Sequence, residues 1–153
     1  GAAPACARDS VSPELASRAQ AVSDSVGAAL RAETATATER YRSAVRLQAT
    51  RVVGCFGGAP ILVLVALRAG NDEYTRERAA LVDSGGRVTA IRVSDYRFRA
   101  HEAIHALDAD GDGVDDLAAR GVGRRVGSLV VLRLDLATKR LDRLAGGFAW
   151  EGQ

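Results

Sequence analysis

At 153 residues, the chain is long enough to form one domain with a substantial hydrophobic core. Its 21 basic and 19 acidic residues nearly balance, for a net charge of +2, which gives no case for nucleic-acid binding. The longest apolar stretch, residues 59–67, has the length of a β-strand and is too short to span a bilayer.

Export is indicated by the terminus and by the cysteines. The chain contains no Met, which we interpret as the mature form of a protein whose signal peptide has been removed. A secreted, periplasmic or cell-surface location is therefore expected. Cys6 and Cys55 are the only cysteines, and in an oxidising compartment we expect them to form one disulfide. A second interpretation makes Cys6 the site of a lipid anchor, and a third leaves both thiols unpaired and buried.

The N-terminal part of the chain predicts a helix. Residues 1–12 are expected to form a flexible arm, followed by a single domain over residues 13–153. Ser12 is a favourable N-cap, and Pro13 suits the first helical position. Apolar residues then recur at helical spacing, which predicts an amphipathic helix ending at about Ala32.

The rest of the chain predicts an antiparallel sheet. Alternating or continuous apolar sequence predicts strands at residues 45–50, 61–67, 78–82, 87–93, 128–135 and 140–148. Turn residues at 84–86 and 137–139 predict two hairpins. Because strands that are neighbours in sequence usually pair, we expect an α+β fold in which an N-terminal helix packs on an antiparallel β-meander of six to eight strands.

Residues 108–117 suggest a metal site, because five aspartates lie within nine positions. Such a cluster repels itself unless a cation neutralises it. Calcium loops have side-chain ligands at positions 1, 3, 5 and 9, a backbone carbonyl at position 7 and a glycine at position 6. The predicted Ca²⁺ ligands are the side chains of Asp108, Asp110, Asp112 and Asp116 and the carbonyl of Val114, with Gly113 at the turn. Position 12 is Ala119 in place of the glutamate of an EF-hand, so an EF-hand is not expected.

The run from Asp108 to Leu117 resembles the calcium loops of FG-GAP and VCBS repeats. In those repeats an aspartate-rich loop joins two β-strands and ends in an aspartate followed by an apolar residue, as Asp116 and Leu117 do here. The resemblance implies a Ca²⁺ site. It covers a single copy, whereas propellers of that family repeat the motif. The alternative is a solvated turn of aspartates and glycines without a metal.

A second motif concerns zinc. His101-Glu102-Ala103-Ile104-His105 matches the H-E-x-x-H pattern of zinc metallopeptidases. On a helix, His101 and His105 would bind Zn²⁺ and Glu102 would act as the general base. No third zinc ligand stands out, and the alternation of residues 102–107 is typical of a strand. We therefore expect these polar residues to lie on a strand that enters the aspartate-rich run.

These patterns favour an exported, non-enzymatic module stabilised by Ca²⁺. Such a module would bind another protein or a glycan within a cell-surface or secreted assembly. The alternative function is a small zinc-dependent metallopeptidase that uses residues 101–105. A third possibility is a regulatory or inhibitory lipoprotein domain.

Overall fold

The computed structural model describes residues 11–41, 46–58, 60–70, 75–93, 105–122 and 126–151. Within these ranges, one helix is followed by eight strands. The elements are α1 (Pro13–Tyr41), β1 (Arg46–Gly54), β2 (Leu62–Gly70), β3 (Thr75–Asp83), β4 (Val88–Val93), β5 (His105–Leu107), β6 (Asp116–Val122), β7 (Val126–Asp135) and β8 (Arg140–Glu151).

Helix α1 begins where the sequence predicts and ends later. The Ser12 hydroxyl oxygen accepts a backbone N–H of the first turn at 3.1 Å, as an N-cap does. The helix then passes the predicted end at Ala32 and continues to Tyr41. The buried Thr34 is satisfied inside the helix, because its hydroxyl donates to the carbonyl oxygen of Leu30 at 2.7 Å. This bond lets a residue of low helix propensity extend α1.

Both predicted hairpins are confirmed. Strands β3 and β4 pair antiparallel around Ser84, Gly85 and Gly86, and β7 pairs antiparallel with β8. The first turn requires a glycine, because Gly86 has a φ of 85° while its N–H donates to the carbonyl oxygen of Asp83 at 3.0 Å. Local turn chemistry therefore fixes the β3–β4 connection.

The expected meander is correct within each half of the sheet and wrong at the junction between the halves. The strand order is β1-β2-β3-β4-β8-β7-β6-β5. Strands β4 and β8 pair in parallel, with Arg92 opposite Arg140 and Val93 opposite Leu141. The expectation assumed that β5 would lie beside β4. Eleven residues, 94–104, separate these two strands in the sequence, which is long enough for β5 to lie at the far edge of the sheet.

Two groups of buried side chains lie on opposite faces of the sheet. The inner core consists of Val52, Phe56, Leu62, Leu64, Ala66, Ala79, Leu81, Ile91, Leu117, Leu132, Leu134 and Leu141. The outer core, which joins the sheet to α1, consists of Leu15, Ala19, Leu30, Val63, Val65, Leu67, Ala69 and Val82. Strand β2 contributes alternate residues to both cores, so the prediction that it is covered on both faces is confirmed.

The sheet curves until its two edge strands approach each other. A Cβ added at Gly54 in β1 would lie 2.9 Å from the Cβ of Ala106 in β5 and 2.7 Å from the Phe56 ring. A residue without a side chain is therefore needed at this point. The resulting near-barrel brings the end of β1 beside the residues that follow β5.

Candidate metal site

Residues 108–116, called here the aspartate loop, connect β5 to β6. These two strands pair antiparallel, with Leu107 opposite Asp116. Gly111 and Gly113 have φ values of 75° and 84°, in the left-handed region that favours glycine. A Cβ on either glycine would meet no atom within 4 Å, so it is backbone conformation and not crowding that calls for glycine here.

Asp108 organises the loop through its own carboxylate. Its Oδ1 accepts the N–H of Gly111 at 2.9 Å and that of Asp112 at 3.1 Å. Its Oδ2 accepts the N–H of Gly113 at 2.8 Å. Three successive amides of the turn therefore point at one side chain, and this bonding holds the loop closed around Asp108.

Asp108, Asp110 and Asp116 form a group that could hold a metal ion. Each offers one carboxylate oxygen, and these oxygens all lie within 4.8 Å of one another. Oxygens bound to one Ca²⁺ lie 2.3–2.6 Å from the ion, so two of them can be separated by up to about 5 Å. The structure thus brings together three of the four side chains predicted as ligands.

The fourth predicted side chain, Asp112, faces the backbone of the loop. Its Oδ1 accepts the N–H of Val114 at 2.9 Å, and its Oδ2 lies 3.4 Å from Nη2 of Arg133. It does not belong to the group of three carboxylates. Val114, whose carbonyl is the predicted fifth ligand, is partly buried at the end of the same turn.

Arg133 of β7 belongs to the candidate site, although the aspartate spacing does not predict it. Its Nε donates to Oδ1 of Asp116 at 3.0 Å, and its Nη2 lies 2.5 Å from Oδ2 of Asp110. The signal available in the sequence is that Arg133 is the one charged residue within the apolar run 129–134. A single charge within an apolar run indicates a specific partner.

The guanidinium of Arg133 shapes the electrostatics of the loop. Its hydrogen bond to Asp110 is the main cause that lowers the pKa of that carboxyl. Hydrogen bonds to Asp116 and then to Asp110 raise the pKa of Arg133 itself. The N–H of Val114 favours the charged form of Asp112, but partial desolvation and the adjacent Asp110 carboxylate outweigh it and raise the pKa of Asp112.

The last two aspartates of the loop are buried and face different partners. Asp116 is fully buried, and its Oδ2 also accepts the N–H of Ala109 at 3.3 Å. Asp115 instead contacts the turn after β1, where its Oδ2 accepts the N–H of Cys55 at 2.8 Å. The five aspartates therefore divide three ways. Asp110, Asp112 and Asp116 contact Arg133, Asp108 accepts amides of the turn, and Asp115 ties the loop to the body of the sheet.

The residues of the zinc motif are only partly described. His105 is the exposed first residue of β5, opposite Ala118 of β6, so the segment is a strand from this residue onward. His101 and Glu102 lie outside the described residues. Cys6 also lies outside them, whereas Cys55 is fully buried, and the disulfide between the two stays a prediction.

In the part of the chain that the structure describes, no helix combines the length and the apolar character needed to cross a membrane.

Comparisons with known proteins give no relative. No protein-family model, curated protein or solved structure matches this chain. Any functional proposal must therefore rest on the geometry of the aspartate loop and on the sequence.

Proposed function

We propose that this chain is an exported, non-enzymatic module whose aspartate loop binds one Ca²⁺, and that it binds another protein or a glycan in a cell-surface or secreted assembly. The observation that carries the proposal is the approach of Asp108, Asp110 and Asp116, whose oxygens lie within 4.8 Å of one another. Hard cations prefer such all-oxygen sites. Carboxylates that are not arranged as a regular octahedron suit Ca²⁺ better than Mg²⁺, which demands near-ideal octahedral geometry.

A stabilising role follows from the position of the loop. Asp116 begins β6 and is fully buried, and Asp115 is hydrogen-bonded to the turn after β1. An ion bound by Asp108, Asp110 and Asp116 would fasten the β5–β6 hairpin. Through the adjacent Asp115 it would also hold the neighbouring edge of the sheet. Because such an ion binds the folded chain and not the unfolded one, it raises the free energy of unfolding.

The experiment that tests this function is a calorimetric titration with Ca²⁺, accompanied by thermal unfolding with Ca²⁺, with Mg²⁺ and with a chelator. We expect a dissociation constant of about 10⁻⁴–10⁻³ M, because the loop lacks the bidentate glutamate of position 12. Asp110→Asn should weaken binding, since it removes an exposed ligand charge without disturbing the core.

The matched control is Asp135→Asn, which removes a carboxylate at the end of β7 outside the loop. This variant should bind Ca²⁺ as the wild type does. No heat and no thermal shift at millimolar Ca²⁺ would reject the calcium proposal. The location and the partner class rest on the sequence features alone, and the state of the cysteines provides their first test.

A further inference from the structure

We propose that Arg133 is the internal cation of the aspartate loop and that Ca²⁺ must displace its guanidinium from Asp110 and Asp116 in order to bind. This inference rests on the proposed calcium function and concerns the control of affinity at the same site. It assigns a role to the one residue of the site that does not belong to the loop.

The guanidinium and the metal would use the same carboxylates. Nε of Arg133 contacts Oδ1 of Asp116 at 3.0 Å, and Nη2 lies 3.4 Å from Oδ2 of that residue. Nη2 also contacts Oδ2 of Asp110 at 2.5 Å. Asp110 and Asp116 are two of the three side chains whose oxygens lie within 4.8 Å of one another.

The charge of the guanidinium opposes a metal ion bound to the same carboxylates. A Ca²⁺ ion lies 2.3–2.6 Å from each ligand oxygen, so it would lie close to the guanidinium nitrogens that now contact the same carboxylates. The repulsion between a divalent ion and a guanidinium at such a separation is strong even with partial solvent screening. The Arg133 side chain is about one-third exposed, at 36%, and therefore has solvent into which it can turn.

The consequence is a loop that is neutralised by its own chain. Arg133 offsets the repulsion among Asp110, Asp112 and Asp116, so the loop can keep its fold at low Ca²⁺. The binding energy of Ca²⁺ must then compensate for the lost guanidinium contacts. Arg133 thereby lowers the calcium affinity and sets the concentration at which the ion binds.

The test is calcium calorimetry on the wild type, Arg133→Met and the control Arg140→Met. Methionine keeps an unbranched side chain on β7 and removes the charge. Arg140 is exposed on β8 and pairs with Asp142 at 3.7 Å, so its replacement removes the same charge outside the loop. We expect Arg133→Met to bind Ca²⁺ about tenfold more tightly and Arg140→Met to bind like the wild type, because only the first removes a cation in contact with the ligands.

The outcomes separate this inference from the proposed function. If the wild type binds Ca²⁺ and Arg133→Met does not bind it more tightly, the inference is wrong and the calcium function stands. If neither protein binds Ca²⁺, both are rejected. If only Arg133→Met binds, Arg133 is the dominant cation, which supports the inference and rejects calcium binding by the natural chain.

A second measurement covers the case in which Arg133→Met fails to fold. In the wild type, the Nε–H of Arg133 gives its own ¹H–¹⁵N resonance, which should exchange slowly with water because Asp116 accepts this proton. Added Ca²⁺ should shift this resonance and speed its exchange, with the dissociation constant found by calorimetry. A resonance that does not move while calorimetry reports binding would overturn the displacement of Arg133.

Discussion

Cys55 and Asp115 are joined by two hydrogen bonds that run in opposite directions. The N–H of Cys55 donates to Oδ2 of Asp115 at 2.8 Å, and the N–H of Asp115 donates to the carbonyl oxygen of Cys55 at 3.0 Å. Both residues are buried, although they are 60 positions apart in the chain. The pair links the residue after β1 to the residue before β6, so the aspartate loop is anchored to the sheet at its C-terminal end.

Replacing Asp115 should therefore destabilise the whole domain. Asp115→Ala leaves the buried N–H of Cys55 without its acceptor, and we expect the free energy of unfolding to fall by about 1–3 kcal/mol. Asp115→Asn keeps a side-chain carbonyl at the same position and should cost less. Urea denaturation without Ca²⁺ measures both variants. An alanine variant no less stable than the asparagine variant would contradict the role of this bond.

The backbone of Gly113 gives a second prediction. Its φ of 84° is a conformation that residues with a Cβ rarely adopt, so Gly113→Ala should cost about 1–2 kcal/mol. Gly113→Asn is the matched control, because asparagine tolerates the left-handed region better than alanine does. Thermal unfolding and Ca²⁺ titration of both variants measure the effect. Equal losses in the two variants would show that strain at this position is not the cause.

We expect the free energy of unfolding to depend on pH through the carboxyl of Asp135. The N–H groups of Thr138 and then Ala137 lower the pKa of this carboxyl in the folded chain. The folded state therefore favours the ionised form. The ionised carboxyl of Asp135 therefore adds to the free energy of unfolding. This contribution is fully present above the pKa of the unfolded chain, near 3.8, and is lost as the pH falls through the lower pKa of the folded chain. Asp135→Asn should be less stable than the wild type at neutral pH, and the difference should shrink in acid. A difference that is constant from neutral to acidic pH would contradict the prediction.

The two cysteines give a prediction that also bears on location. We expect Cys6 and Cys55 to be joined, which would stabilise the fold by roughly 3–4 kcal/mol in the chain-entropy model. Intact mass after thiol alkylation, with and without reductant, measures their state. Two alkylated thiols in the unreduced, denatured protein would reject both the disulfide and its support for export.

The zinc motif should have no catalytic activity. His105 begins a strand, whereas the zinc-peptidase arrangement requires a helix that places both histidines on one face. We expect no peptide hydrolysis by the zinc-loaded protein, assayed beside Glu102→Gln, which removes the only candidate base of the motif. Turnover by the wild type that disappears in the variant would identify the chain as a metallopeptidase.

Features that depend on local sequence could be predicted, and features that depend on register could not. Turn residues and apolar alternation predict the β3–β4 and β7–β8 hairpins. The spacing of the aspartates predicts that Asp108, Asp110 and Asp116 are metal ligands, and the structure brings these three together. The roles of Arg133 and Asp115 arise from other causes. Arg133 reaches the loop because Leu132 pairs with Leu117, the residue after Asp116. Asp115 meets Cys55 because the sheet curves. The lone charge of Arg133 in its apolar run indicates a partner but does not identify it, and nothing near Asp115 in the chain points to Cys55.

The parallel pairing of β4 with β8 has a consequence for the speed of folding. Each half of the sheet, β1–β4 and β5–β8, contains pairings between strands that are neighbours in sequence, and such pairings close short loops. The contact of Arg92 with Arg140 joins residues distant in the chain, and its loop-closure entropy must be overcome before any gain from the contact. We therefore expect the two hairpin-rich halves to form early. Their slower association would follow, through the β4–β8 pairing and through the contact of β1 with β5 and the aspartate loop.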